Sequence, residues 1–198
     1  MPRKARIDAP GALHHIIIRG IERKAIFKDG SDRANFLDRL SALVSESKTA
    51  CYGWALMTNH AHLLLKTGLS PVATVMRRLL TGYAVSFNRR HRRHGQLFQN
   101  RYKSFLCEQD LYLKELVRYI HLNPLRAKMV KDLKELKSYP YCGHGALLGK
   151  VKNDWQDRAN MCSICLELHR GPHGGHMGLL LPRELPRVDE RIWWVVAC

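Results

Sequence analysis

Apolar positions along this chain recur with two periods, and the switches between them mark out the elements. Leu13-His14-His15-Ile16-Ile17-Ile18-Arg19 is a short apolar, β-branched run, opened by Pro10-Gly11 and closed by Gly20, and it predicts a first strand. Lys28-Asp29-Gly30 predicts a turn, after which Ser31 can cap a helix reaching about Ser47. The apolar residues of that helix, Phe36, Leu37, Leu40, Leu43 and Val44, follow the helical period. Cys51 to Met57 and Ala61 to Lys66 predict a second and a third strand, with Thr58-Asn59 as a tight hairpin connection. Pro71 suits the first turn of a second helix, along which Val72, Val75, Met76, Leu79, Tyr83 and Phe87 form one face. Leu97 to Cys107 predicts a fourth strand, and a third helix runs from Asp110 through Tyr119 toward Pro124.

The order strand, helix, strand, strand, helix, strand, helix predicts an α+β domain: an antiparallel or mixed sheet with helices packed on one face. Residues 125–150 form a mixed, Lys-rich segment ending in Tyr139-Pro140-Tyr141 and a short apolar stretch. Beyond it the periodicity is lost. The expected organisation is one domain over residues 1–150 and an irregular C-terminal tail over 151–198.

Composition narrows the function. Lys and Arg number 33 against 17 Asp and Glu, a formal charge of +16, which points to a polyanionic partner and to nucleic acid before an anionic membrane. No apolar run is long enough to span a bilayer, and no apolar signal segment follows the basic start at residues 1–6, so the expected location is cytoplasmic. The six cysteines are scattered and suggest no disulfide framework.

The charge is unevenly spread. From Ser47 to Cys107 there is no acidic residue, while Arg77, Arg78, Arg89, Arg90, Arg92, Arg93, Arg101 and Lys103 all fall in that stretch. Solvated faces normally mix signs, so these eight residues are candidate DNA contacts, with Arg89-Arg90-His91-Arg92-Arg93-His94 as the densest part. Phe98 and Tyr102 are interleaved with the basic residues, a pattern that suits base stacking, although Phe98 equally suits packing in the sheet.

Two features inside this setting carry chemistry. His60 and His62 lie at alternate positions of a strand, so both imidazoles leave the same face and can share a metal ion. On the third helix, Tyr119 and Asn123 lie one turn apart on one face, while His121 is turned away. Leu113, Leu116, Val117 and Ile120 form the apolar side of that helix, which leaves Tyr119 on a polar face. A tyrosine hydroxyl can attack a phosphodiester and form a covalent phosphotyrosine. A divalent ion on two histidines and an amide oxygen can polarise the phosphate.

These residues resemble the single-tyrosine HUH transposases, and within them the REP-associated tyrosine transposases. The resemblance rests on Pro10-Gly11-Ala12-Leu13-His14-His15-Ile16-Ile17-Ile18-Arg19-Gly20, on His60-Ala61-His62, on the run from Gly95 to Ser104 and on Tyr119-Ile120-His121-Leu122-Asn123-Pro124. It covers roughly residues 3–150. One departure is Ala61, which stands where the family motif has a bulky hydrophobe. The resemblance implies a ferredoxin-like antiparallel sheet, Tyr119 as nucleophile, and His60, His62 and Asn123 as ligands of Mg²⁺ or Mn²⁺. It also implies cleavage and rejoining of single-stranded DNA near hairpins through a 5′-phosphotyrosine, leaving a free 3′-OH, by a homodimer or a monomer.

Two other functions remain open on the residues alone: a catalytically inactive or domesticated binder of structured single-stranded DNA, and a basic RNA-binding protein with an incidental His-x-His. Two readings of the tail also remain open. One is a frameshifted or degenerate end after about Asp157. The other is a small metal site from Cys162, Cys165, His169, His173 and His176, with a spacing shorter than in common zinc modules.

Overall fold

Three consecutive isoleucines on one strand and three consecutive leucines on another cannot all face a single core, and the fold answers this by covering its sheet on both sides. The computed structural model describes residues 9–107 and 111–159. Its elements are β1 (Leu13–Arg19), α1 (Gly30–Glu46), β2 (Ala50–Leu56), β3 (His60–Lys66), α2 (Val72–Arg90), β4 (Lys103–Cys107), α3 (Leu111–Arg126), α4 (Leu133–Ser138) and α5 (His144–Leu147). The expected tail ligands Cys162, Cys165, His169, His173 and His176 lie outside the described residues, as does everything beyond Ala159.

The four strands form one antiparallel sheet in the order β2-β3-β1-β4, the ferredoxin-like arrangement. Alternate residues of β1 and β3 feed two separate cores. Ile16, Ile18, Ala61, Leu63 and Leu65 pack against Phe36 and Leu40 of α1 and Val75, Leu79 and Tyr83 of α2. Leu13 and Leu64 pack against Leu113, Leu116, Val117 and Ile120 of α3. The expectation of helices on one face is therefore corrected. The first two helices share a face, and the third lies on the opposite one, because uninterrupted apolar strands need burial on both sides.

Two further expectations shift. The fourth strand is shorter than Leu97 to Cys107: regular pairing with β1 covers only Lys103–Cys107. Phe98 then meets Gly20 two residues out of that register, so the exposed polar residues Gln99, Asn100 and Arg101 loop outward between buried Leu97 and Tyr102. The cap of α1 is Asp29, not Ser31. Asp29 is extended (φ −146°, ψ −175°) and its carboxylate accepts from the Asp32 amide at 3.0 Å, while Asp32 accepts from the Lys28 amide at 2.9 Å. β1 ends at Gly20, where a side chain would collide with the Lys24 carbonyl.

Asp29 and Asp32 also tie α1 to the end of α2. Arg90 binds both carboxylates, and the His91 ring reaches Asp32 at 2.9 Å. The Arg90 guanidinium holds the Asp29 carboxyl well below the usual carboxylate range. Residues after α5 return to the sheet: the Trp54 indole N–H donates to Gln156 Oε1 at 3.0 Å, and the Asp157 amide donates to the Cys51 carbonyl at 2.9 Å. Among the described residues, no helix is long and apolar enough to cross a membrane.

Asp32 is 2% exposed. Asp32→Ala leaves the Lys28 amide and His91 without their acceptor and leaves Arg90 held by Asp29 alone. The expected result is a thermal midpoint lower by about 5 °C or more, read by circular dichroism; an unchanged midpoint would show that the tie between α1 and α2 adds no stability.

Candidate active site

The antiparallel register of β1 against β3 builds the site. Ile17 faces His62 and Arg19 faces His60 across the ladder. His60 and His62 therefore leave the sheet on the α3 side, together with His15 and Arg19. Ala61 points the other way, into the core beneath α1 and α2. Its small size thus changes packing on the far face and leaves the histidine pair intact.

α3 lies over this patch and brings Tyr119 to it. The Tyr119 ring stands edge-on to His62 (centroids 5.8 Å apart, 89°) and to His15 (6.4 Å, 81°). The helix continues past Pro124, so Arg126, two turns after Tyr119, reaches back over the phenol ring with its guanidinium carbon 5.3 Å from the centroid. Tyr119 is half-buried against the second core, not displayed on a solvent-facing polar surface as its place in the helical pattern suggests. His121 is turned away as expected: it is buried and packs near Gly53 and the His144 ring.

His60 and His62 have ring centroids 5.2 Å apart. Metal–nitrogen bonds of about 2.1 Å put the centroids of two imidazoles on one ion roughly 5 Å apart, so the spacing fits a shared cation. The hydrogen bonds fit as well. The Asn59 side-chain amide donates to the Arg23 carbonyl at 3.0 Å, which turns its Oδ1 toward His60 Nδ1 at 2.7 Å. The His60 proton is then held on Nδ1, leaving Nε2 as a lone pair. His62 Nδ1 lies 3.1 Å from His15 Nε2, and His62 Nε2 is buried with no partner among the described residues. Burial pushes His15 and His60 down to about 4 and His62 well below the usual imidazole value; the charge of Arg19 adds to the effect on His60 and His62. All three rings are neutral at pH 7, the state a metal ligand requires.

Asn123 is buried one turn beyond Tyr119, and its amide nitrogen donates to the Tyr119 carbonyl at 3.1 Å. That bond leaves Oδ1 as its ligand-capable atom; the side chain makes no hydrogen bond to either imidazole. Another group of ligand-type residues among the described ones, Asp29, Asp32 and His91, already holds the Arg90 guanidinium where a cation would sit.

The expected DNA contacts divide. Lys103 pairs opposite Ile17 on β4, so its side chain belongs to the His15 and Tyr119 face. Arg77, Arg78, Arg89 and Arg90 ride on α2, across the sheet from Tyr119, and Arg92 and Arg93 follow in the segment after it. Arg78 is engaged by Glu46, Arg90 by Asp29 and Asp32, and Arg93 by Asn88 and the Gln96 carbonyl. Arg77, Arg89, Arg92, Arg101 and Lys103 are exposed. Arg77 and Arg101 border a groove of about 770 Å³ between α2 and residues 96–102, floored by Leu80, Ala84, Phe98 and Tyr102. Tyr102 is buried and Phe98 packs near Tyr83, so both are part of the protein's own packing.

His15, Arg19 and Arg126 were not among the expected site residues. Their signals were partial. His15 and Arg19 share strand parity in β1, but only the register shows which β3 residues they meet. Arg126 lies beyond a proline that reads as a helix end.

Residues 10–123, more than half of the chain, match the family model for IS200-like transposases. Among solved structures, the chain is similar to a REP-associated tyrosine transposase bound to a REP hairpin. The TM-score is 0.63 at 12% identity, over 80% of this chain and 98% of that one. It is more distantly similar to a transposase candidate from Deinococcus radiodurans R1, with a TM-score of 0.41 at 16% identity, over 60% of this chain and 95% of that one. No curated protein matches the chain.

The buried imidazoles make folding sensitive to acid. His15 and His60, lowered to about 4, and His121, lowered to about 3, bind protons more weakly folded than unfolded. Between the unfolded value of 6.5 and those values the unfolded chain holds more protons, so stability is full above about pH 6.5 and falls as the pH drops. The urea midpoint is expected to decline from pH 6.5 to 4, and His121→Gln to flatten the decline. A midpoint constant over that range would contradict the buried, neutral state of these rings.

Proposed function

The chain belongs to the IS200-like transposase family, and from that premise we propose that it cleaves and rejoins single-stranded DNA beside hairpins through a covalent bond between Tyr119 and a 5′-phosphate. The observation that carries this reading is the placement of the Tyr119 ring edge-on against His62. A nucleophile and a candidate phosphate-activating site share one small patch. The hairpin-bound transposase, whose fold this chain shares, supports a hairpin as the DNA partner.

In this reading the single strand lies over the α3 face of the sheet, with Lys103, Arg19 and Arg126 drawing its phosphates in. Tyr119 Oη attacks the scissile phosphorus. A P–O bond forms to the tyrosine, the P–O3′ bond breaks, and the departing 3′ oxygen takes up a proton while the phenol gives one up to solvent. Arg126 over the ring supplies positive charge where that proton is lost. The number of phosphodiester bonds is unchanged, so no external energy source is needed, and attack by another 3′-OH reverses the step and frees Tyr119. A divalent ion, Mg²⁺ or Mn²⁺, held by His60, His62 and Asn123 would supply Lewis-acid charge to the non-bridging phosphate oxygens. Hard ions of this kind accept mixed nitrogen and oxygen ligands when phosphate oxygens complete the shell.

Labelled single-stranded DNA carrying a hairpin, incubated with the protein and Mn²⁺, is expected to give a covalent adduct on a denaturing gel. Tyr119→Phe abolishes the adduct, and His62→Ala lowers its rate by about 100-fold or more, while both variants retain DNA binding. Tight binding with no adduct from the unaltered protein would leave a structured-DNA binder in place of the enzyme.

A further inference from the structure

The two candidate ligands differ in how firmly their free nitrogen is set. His60 hydrogen-bonds to Asn59, whose Oδ1 can only accept, so its proton is fixed on Nδ1. His62 hydrogen-bonds to another imidazole, and an imidazole nitrogen can donate or accept. His15 and His62 are fully buried, with nitrogens 3.1 Å apart, ring centroids 5.3 Å apart and planes within 18°. Nitrogens much closer than the centroids, in nearly parallel rings, mean that the two rings meet edge to edge, the geometry of an N–H···N bond carrying one proton.

That proton has two possible owners. If His15 donates, His62 carries its own proton on Nε2, where it is buried without an acceptor and blocks coordination. If His62 donates from Nδ1, Nε2 is left as a lone pair. His15 then holds its proton on Nδ1, which is likewise buried with no partner among the described residues. Each state leaves one buried N–H without a partner among the described residues, and an ion bound at His62 Nε2 favours the second.

We propose that His15 is a positioning residue for the metal site: it accepts the His62 Nδ1 proton and so orients His62 to present Nε2, as Asn59 does for His60. This rests on the reading of His60 and His62 as ligands. Its contribution goes beyond packing, because a ring of similar shape without an acceptor nitrogen leaves His62 Nδ1 unpaired and free to adopt the blocking tautomer. Partners of this kind change metal affinity by about 10- to 100-fold when removed.

Mn²⁺ affinity is measured by calorimetry on the full-length protein and on His15→Phe, His15→Gln and His62→Ala. The expected order is tight binding by the unaltered protein, about 10- to 100-fold weaker binding by His15→Phe, recovery of most of that loss by His15→Gln through its amide oxygen, and loss of site binding by His62→Ala. Nitrogen-15 spectra of the histidine rings, with Zn²⁺ as a diamagnetic probe, are expected to place the His62 proton on Nδ1. If His62→Ala binds Mn²⁺ like the unaltered protein, the ligand reading itself fails. If His62→Ala loses the ion but His15→Phe keeps full affinity, or if His15→Gln is no better than His15→Phe, the positioning role of His15 is overturned while the ligand reading stands.

Discussion

The pairing of β1 with β3 sets both the packing of this molecule and the arrangement of its candidate site. Because side chains alternate along a strand, a slip of one residue would turn His60 and His62 into the core under α1 and α2 and push Leu63 and Leu65 out beneath α3. The observed register sets Ile17 against His62 and Arg19 against His60. It therefore groups His15, His60 and His62 under α3, while Ile16, Ile18, Leu63 and Leu65 fill the opposite core. Burial on that opposite face holds the register, and the register holds the site. The two alternating sets on one pair of strands thus serve different purposes through the same hydrogen bonds.

The site is divided between two layers. The sheet supplies the imidazoles, held by the strand ladder, with Asn59 and His15 hydrogen-bonded to their Nδ1 atoms. The helix supplies Tyr119, held by the apolar stripe of Leu113, Leu116, Val117 and Ile120. These four leave the phenol at the edge of the stripe, against the rings yet half-buried. The Tyr119 hydroxyl itself is buried beside the histidines, and a tyrosine farther out on the helix would not touch them.

Much of this was legible in the residues. Strand parity placed His60 and His62 together, helical spacing put Tyr119 and Asn123 on one face, and the apolar runs located β1, β3 and α2. The uninterrupted runs Ile16-Ile17-Ile18 and Leu63-Leu64-Leu65 also held the sign that the sheet is covered twice, although element order alone suggested one covered face. What stayed hidden depends on contacts between distant segments. The partnership of His15 with His62 follows from register, which no local pattern specifies. Asp29 displaced Ser31 as the cap because its carboxylate also binds Arg90 from α2. Residues 97–102 left the strand pattern because polar Gln99, Asn100 and Arg101 had no buried face to occupy.

The tie between Asp29, Asp32, Arg90 and His91 bears on how the formal charge of +16 is to be understood. A cation strengthens DNA binding in dilute salt by displacing counterions condensed on the phosphates. Arg90 and Arg78 are already neutralised by carboxylates of their own chain, so each would have to exchange one anionic partner for another and adds little to that release. Among the described residues, exposed cations with no carboxylate partner, such as Arg77, Arg89 and Lys103, are the ones free to displace counterions, so the salt dependence of any DNA binding would be shallower than the sum of basic residues implies.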